Sequence, residues 1–339
     1  MKAAVAAGPK AAIAAGPKAA IAAVLPIVGA VALDAVLADP ARWHPVAGFG
    51  RMAAAAELSL YGDTRAAGVR FVALNVGPPI AAGVLVERLL RGRPAVRGLL
   101  LAAVTWTTLG GTSLIREGQR MAELLDGGDL DAARGRLGYL CARSSDGLNS
   151  AELSRATVES LAENTSDAVV APLFWAALGG LPAVIGYRAV NTLDAMVGYR
   201  SERYQNFGWA AARLDDLANL LPARFTAVLT CVLAPTADGS VRSAWRVLRR
   251  DASHHPSPNA GHPEAAFAGA LGVSLGGVNV YGDAVEDRGT LGDGPAPQIA
   301  DIRRAARLSR RVALAAAGVL AAKSALLAAR AAARSARPE

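Results

Sequence analysis

The sequence predicts an all-α, polytopic helical membrane protein whose polar helical and loop segments form the active site. Three observations carry that prediction. Apolar residues make up 53% of the chain, aromatics 5% and charged residues 19%, with abundant Ala and Gly, which suits closely packed helices within a bilayer. The mean hydropathy of +0.28 is high for a soluble protein and low for a pure bundle of spans. Apolar runs of spanning length alternate with dense polar stretches, as in a membrane protein with large polar loops.

Taken in order, the chain starts with an approximate eight-residue repeat, KAAVAAGP, KAAIAAGP, KAAIAA. Its Gly-Pro pairs interrupt a helix every second turn, so residues 1–18 read as a low-complexity leader. The run from Ala19 to Ala38 is long enough to cross ~30 Å of hydrocarbon. A cleaved signal peptide is the rival reading, since lysines precede the run and small residues close it. Asp34 inside the run favours a retained segment.

DPARWHPVAGFGR, Asp39 to Arg51, follows as a bent connection fixed by Pro and Gly; His44 and Arg51 could face a site, with a capping or packing role the favoured reading of His44. Further apolar segments cover Phe71 to Val86, Gly98 to Ile115, Val169 to Tyr187, Leu220 to Ala237 and Val312 to Ala329. The last three are interrupted by Gly, Pro or a charge, which suits buried or re-entrant helices. Arg88, Arg91, Arg93 and Arg97 carry no acid among them, and by the positive-inside rule that loop is cytoplasmic. Residues 19–311 are read as one membrane-embedded catalytic domain and 312–339 as a hydrophobic helix with a basic tail.

Three polar stretches stand out. RAVNTLDAMVGYRSERYQNFGWAAARLDD, Arg188 to Asp216, packs Arg188, Asn191, Asp194, Arg200, Glu202, Arg203, Arg213, Asp215 and Asp216 between apolar segments and interleaves Tyr199, Tyr204, Phe207 and Trp209. It reads either as a solvated loop or as a site in which arginine forks bind phosphate or carboxylate while carboxylates hold a divalent ion. In RATVESLAENTSDAVVAPLFW, Arg155, Glu159, Glu163 and Asp167 recur every four residues and share one helix face, with Asn164 beside them. The face reads either as an ordinary exposed Arg-Glu ladder or, with three like charges against one arginine directly before an apolar segment, as one that needs a cation. The third stretch, His254 to Gly282, holds three of the four histidines. His254, His255, His262 and Glu264 match no standard zinc spacing, so a backbone-rich anion cradle with Asn259 and Asn279 amides is the better reading.

The charge of +8 comes with no nucleic-acid module, so lipid and phosphate are the expected partners and nucleic acid is not. Cys141 and Cys231 form neither a disulfide framework nor a metal cluster and read as buried small residues.

NTLDAMVGYRSERYQNFGWAAARLDD, ESLAENTSDAVVAPLFW, HPSPNAGHPEAAFAGALG and DPARWHPVAGFGR, in that family's order over residues 27 to 294, resemble the signatures of the adenosylcobinamide-phosphate synthase family of cobalamin biosynthesis. The resemblance implies a multi-pass protein of the cell membrane with its site facing the cytoplasm. It implies ATP-dependent joining of aminopropanol, as its O-phosphate or free, to a propionate carboxyl of adenosylcobyric acid. The chain departs from the family at Ser144 and Ser145, where Asp-Thr is usual after Arg143, at His262 in place of an aromatic, and at Val278 in place of proline.

Amide formation needs an activated carboxyl, hence Mg2+ on phosphates and cationic donors around the transferred group. On that chemistry Glu159, Glu163 and Asp194 are assigned to magnesium, with Asp215 and Asp216 as further candidates. Arg188, Arg200, Arg203 and Arg213 would bind the phosphates of ATP or of the amine. His255, Asn259 and Glu264 would line the remaining wall, Glu264 or a histidine taking the ammonium proton, and Asn191, Asn279 and Tyr281 complete the substrate-binding set. Adenosylcobyric acid, aminopropanol phosphate and the lipid bilayer are thus the expected partners, with homo-oligomers or other cobalamin-pathway membrane proteins also admitted. A non-catalytic transporter or scaffold for an anionic cargo is the alternative, though no inverted repeat is visible; a soluble all-helical enzyme is the third option. If every apolar segment crossed, the polar stretches would face opposite sides, so Val169 to Tyr187, with Pro172, Gly179, Gly180 and Pro182, is expected to be a hairpin or a buried helix.

Overall fold

The computed structural model describes residues 9–40, 44–199, 201–281 and 284–335. Twelve α-helices make up nearly all of the regular structure: α1 (Pro9–Leu37), α2 (Pro45–Leu60), α3 (Arg65–Leu89), α4 (Pro94–Trp106), α5 (Gly111–Asp126), α6 (Leu130–Leu137), α7 (Ser150–Thr165), α8 (Ala171–Val197), α9 (Trp209–Leu233), α10 (Val241–Asp251), α11 (Gly261–Leu271) and α12 (Ile299–Ser335). One antiparallel pair, β1 (Leu275–Tyr281) and β2 (Ala284–Leu291), departs from the all-α expectation. It forms where β-favouring Val278 and Val280 follow Gly276 and Gly277, and those glycines, with Gly289 in the returning strand, leave no helical period. The expected loop from His254 to Gly282 is therefore a short connection, a helix and a strand.

Among the described residues, six helical stretches are long and apolar enough to cross a membrane: Ala20–Leu37, Arg65–Leu89, Pro94–Asp126, Ser150–Val197, Trp209–Ala237 and Ile299–Arg334. Apart from that one strand pair, the protein is an all-α, multi-pass membrane protein. Its apolar cores divide the work. One joins α1, α4, α8 and the second half of α12 through Ile27, Leu173, Val184 and Leu320. A second joins α2, α3, the end of α8 and the start of α9 through Phe71, Leu193, Val197 and Phe207. The largest joins α5, α6, α7, the end of α9, α10, α11 and the start of α12. Ala237, just past α9, accepts a hydrogen bond from Arg304 at the start of α12, so the far end of α9 is packed inside this third body.

The leader does not break the helix as expected, because α1 runs through Gly16 and Pro17 from Pro9 onward. Asp34 inside the first apolar run is buried and accepts from the Thr112 amide (3.0 Å) and hydroxyl (2.9 Å). A carboxylate of α1 thereby satisfies the first turn of α5, which makes α1 an integral part of the fold. His44 caps α2, its Nδ1 accepting from the Val46 amide at 3.2 Å.

The segment from Val169 to Tyr187 is a helical hairpin. Gly180 sits at φ 65°, ψ −149°, and the chain reverses there. Tyr187 then returns to donate to the backbone carbonyl of Asp167 at 2.9 Å. An L side chain is disfavoured at that φ, and a Cβ would also lie 2.1 Å from the Glu87 carboxylate, which caps the Leu181 amide at 3.0 Å. The expected hairpin thus brings the polar ends of both arms to one level. It also separates two features that the sequence reading put in the same compartment: the tip meets Glu87 beside the basic loop 88–97, while Asp194 lies fourteen residues further along the returning arm, about 20 Å by helical rise. The basic loop and the polar ends therefore stand at opposite ends of this arm.

Candidate functional site

Where the hairpin arms meet the extramembrane body, carboxylates converge. α7 continues into the first arm through a π-turn, Ser166–Val170, a deviation common at functional positions, and Asp167 lies in it. Glu163 precedes the turn, Asp194 ends the returning arm, and Asp215 and Asp216 sit on the first turns of α9. These five half-buried carboxylates lie close enough to repel one another. Gly198 lets Asp194 fold into place, since a Cβ there would stand 1.8 Å from its Oδ1.

A hydrogen-bonded chain orients the cluster. Arg188 donates to Asn191 Oδ1 (3.1 Å), and the Asn191 amide to Asp215 Oδ1 (3.3 Å). Asn219 donates to Asp215 Oδ2 (2.9 Å) and its own oxygen accepts from Tyr187 (2.9 Å). The Arg188 Nε–H is buried without a hydrogen-bond partner, a donor available to an anion. Beside it an apolar cleft of about 400 Å³ opens, lined by Phe49, Pro79, Ala103, Trp106 and Ile185.

Glu163 links this cluster to a second, deeper one, for it also repels Glu264. Glu264, on the first turn of α11, is 0% exposed, and neither of its oxygens has a hydrogen-bond partner. Burial first, and then Glu159 and Glu163, push its carboxyl well above the usual range. His255 Nε2 and Arg288 each approach Glu264 Oε1 no closer than 3.7 Å. Burial holds the His255 imidazole down to about 4, so it is neutral. Its Nδ1 accepts from the Ser257 amide at 3.0 Å, which leaves the proton on Nε2, facing Glu264.

Glu159 plays a different part from the one assigned to it. Its Oε2 pairs with Arg143, and its Oε1 accepts from the Gly276 amide (2.7 Å) and Arg155 (3.4 Å). With 1% exposure and both oxygens engaged, it anchors β1 to α7. Arg143 also donates to Asn279 Oδ1 at 3.0 Å, while the Asn279 amide nitrogen is buried without a partner. Asn259 ties this side to α9 by donating to the Asp216 carbonyl at 2.7 Å.

The structure therefore brings together Glu163, Asp194, Asp215, Asp216, Arg188 and Asn191, with Glu159, His255, Asn259, Glu264 and Asn279 behind them. Arg213 is at the rim, 68% exposed and 3.6 Å from Asp216. Arg203 is elsewhere: it pairs with Glu57 at 2.9 Å and covers the Tyr61 ring at 4.2 Å. That aromatic-lined ion pair fixes the loop before α9 to α2, so the expected phosphate contact is replaced by a packing one. Arg200 lies outside the described residues, and of Tyr281 only the backbone in β1 is described. Asp167, Tyr187, Asn219, Arg143 and Arg288 were not among the assigned site residues. Asp167 was signalled by the four-residue ladder and Asn219 by its i+4 spacing from Asp215; the others had no local signal.

Among the described residues no three His, Cys, Asp or Glu side chains gather to grip an ion directly. The donor set nevertheless fits Mg2+, which keeps several waters and takes one or two carboxylates together with phosphate oxygens.

A family model described as CobD/Cbib protein matches residues 27–309. The chain belongs to the CobD/Cbib protein family. Among CobD/Cbib relatives, Cobalamin biosynthesis protein CobD of Mycobacterium tuberculosis is 54% identical over 290 residues, 85% of this chain and 91% of that protein. The protein of the same name from Geobacter metallireducens is 46% identical over 276 residues, 79% of this chain and 86% of that one. That from Rhodobacter capsulatus is 39% identical over 295 residues, 84% and 92% respectively. No solved structure matches the chain.

Proposed function

We propose that the chain acts in cobalamin biosynthesis by joining aminopropanol O-phosphate, or aminopropanol, to a propionate carboxyl of adenosylcobyric acid at the expense of ATP. The observation that carries this reading is the meeting of a carboxylate cluster, a buried arginine with a free N–H, and a desolvated glutamate at one level of the fold. Ligation by way of an activated carboxyl asks for those three elements.

Arg188 stands where it can hold a phosphate or the substrate carboxylate, with Asn191 fixing the plane of its fork. Glu163, Asp167, Asp194, Asp215 and Asp216 would hold Mg2+ largely through water. The ion supplies neutralisation of phosphate charge. Asn279 keeps a buried amide N–H without a hydrogen-bond partner, and the cleft beside Arg188 offers an apolar wall to the body of the larger substrate. In its ionised form Glu264 is the better proton acceptor: a raised carboxyl matches an ammonium more closely than an ordinary one does, and its oxygens have no hydrogen-bond partner. His255 presents N–H rather than a lone pair, so it orients Glu264 instead of taking the proton.

Cytosolic ATP places the site on the cytoplasmic side of the cell membrane, which puts loop 88–97 on the other side. Detergent-purified protein incubated with adenosylcobyric acid, aminopropanol phosphate, magnesium and ATP should give a nucleotide-dependent gain in corrinoid mass matching the amide. Folded protein that yields no product with either amine form would overturn the reading in favour of binding or transport.

A further inference from the structure

At the hairpin tip, far from the carboxylates, the bundle encloses a second cavity of about 470 Å³. Small residues of four helices line it: Ala22 and Ala23 of α1, Gly98 of α4, Ala176 and Ala177 of α8, and Ala328 of α12. Arg97 and Glu87 stand at its wall. Glu87 is committed to the Leu181 amide, which leaves Arg97 as the charge available to a visitor. Arg88, Arg91 and Arg93 share this end of the bundle with Arg97. All four are exposed, and among the described residues none has an acidic partner.

We propose that this end binds an anionic phospholipid, with its phosphate on Arg97 and Arg93 and one acyl chain in the alanine-lined cavity. Two features argue for a lipid. The cavity is apolar and lies between helices that face hydrocarbon, so a chain can enter it from the bilayer while a soluble anion gains nothing from its walls. Four unpaired cations at the membrane boundary form the charge pattern that holds anionic headgroups, each adding to the attraction. Neither feature serves the ligation chemistry, and the inference holds whichever side the site faces. A bound chain would also brace the hairpin tip, whose reversal otherwise rests on Gly180 and the Glu87 cap.

The test uses the full chain in phosphatidylcholine nanodiscs with and without phosphatidylglycerol, read by native mass spectrometry and thermal unfolding. Wild type should retain phosphatidylglycerol in preference to phosphatidylcholine and unfold at a higher temperature when it is present. Arg93→Gln with Arg97→Gln should weaken phosphatidylglycerol retention about tenfold. Ala328→Leu, which fills the cavity from α12 without touching the site, should lower retention while leaving the arginines in place. Equal retention of the two lipids by wild type would overturn the proposal. So would a preference lost in the arginine variant but intact in Ala328→Leu, which would mean surface charge alone. Displacement of the lipid by inorganic phosphate at low concentration would overturn it too, in favour of a phosphate site.

Discussion

Tyr187 Oη lies 2.9 Å from the backbone oxygen of Asp167, twenty residues earlier. A continuous helix would hold those two residues about 30 Å apart, so the contact itself proves that the chain doubles back between them. The same hydroxyl is 2.9 Å from Asn219 Oδ1, which joins both hairpin arms to α9. Through Asn219, which donates to Asp215 Oδ2, the same phenol is tied to one carboxylate of the cluster.

Tyr187→Phe should therefore cost about 1–2 kcal/mol, the worth of a buried hydrogen bond whose acceptors lose their donor. Thermal unfolding in detergent measures it. A variant as stable as wild type would mean that the hairpin is held by packing alone.

The hairpin also fixes sidedness. On a background freed of Cys141 and Cys231, Ser150→Cys and Gln205→Cys should react with an impermeant thiol reagent from one face of the membrane, the cytoplasmic one. Gly92→Cys should react from the other. Labelling of positions 150 and 205 from opposite faces would break the hairpin; labelling of all three from one face would break the separation of the basic loop from the site.

Asp194→Asn should lower turnover by about 10²-fold or more while leaving expression and membrane insertion near normal. Gly198→Ala should do nearly the same without touching a charge, because its Cβ would occupy the place of Asp194 Oδ1. Arg203→Ala is the contrast: it removes the ion pair of a half-exposed guanidinium with Glu57 and a ring contact, so thermal stability should fall slightly while the KM for ATP and amine stays. A selective rise in KM would return Arg203 to the phosphate site.

Those contrasts show what local sequence could and could not reveal. The hairpin was legible because Gly179, Gly180 and Pro182 interrupt an apolar run too broken to cross in one pass. Asp194, Asp215 and Glu163 were legible because carboxylates flanking apolar helices need a reason to be there. Arg203 misled, since a cation between charged neighbours looks the same whether it meets phosphate or Glu57, 146 residues away. Glu159 misled for a similar reason: its face on α7 was correct, but Arg143 and the Gly276 amide reach it from elsewhere in the chain. The strand pair was invisible because β1 and β2 have only each other as partners and no repeating alternation to announce them.

The Arg143–Glu159 pair is buried on both sides, so removing one member should be far worse than removing both. Arg143→Ala leaves a carboxylate in the core and should cost about 3–5 kcal/mol; Arg143→Met with Glu159→Gln should recover much of it. The double variant also releases Asn279, so restored stability should come with reduced activity. Equal destabilisation by single and double variants would show that the ion pair contributes shape rather than charge.

Glu264 supplies the pH test. Its folded carboxyl is raised by burial, so between the ordinary carboxylate range and that raised value the folded state holds a proton that the unfolded state has released. Stability from this group therefore falls as pH rises through that window. His255 works in the opposite direction: with its imidazole held down to about 4, the unfolded state takes up a proton first as pH falls below the usual histidine range, and stability drops on the acid side. Glu264→Gln should leave the acid limb unchanged and raise the alkaline limb, with a gain of about 1–3 kcal/mol near pH 8 and almost none near pH 5. The same variant should lose amide formation, since a carboxamide cannot take the ammonium proton. A more stable but inactive protein is the expected pairing, typical of a site that holds a group in an unfavourable state for function. If Glu264→Gln is instead active, or loses stability at high pH, Glu264 is an ordinary buried packing residue and the proton acceptor must be sought among the carboxylates around Asp194.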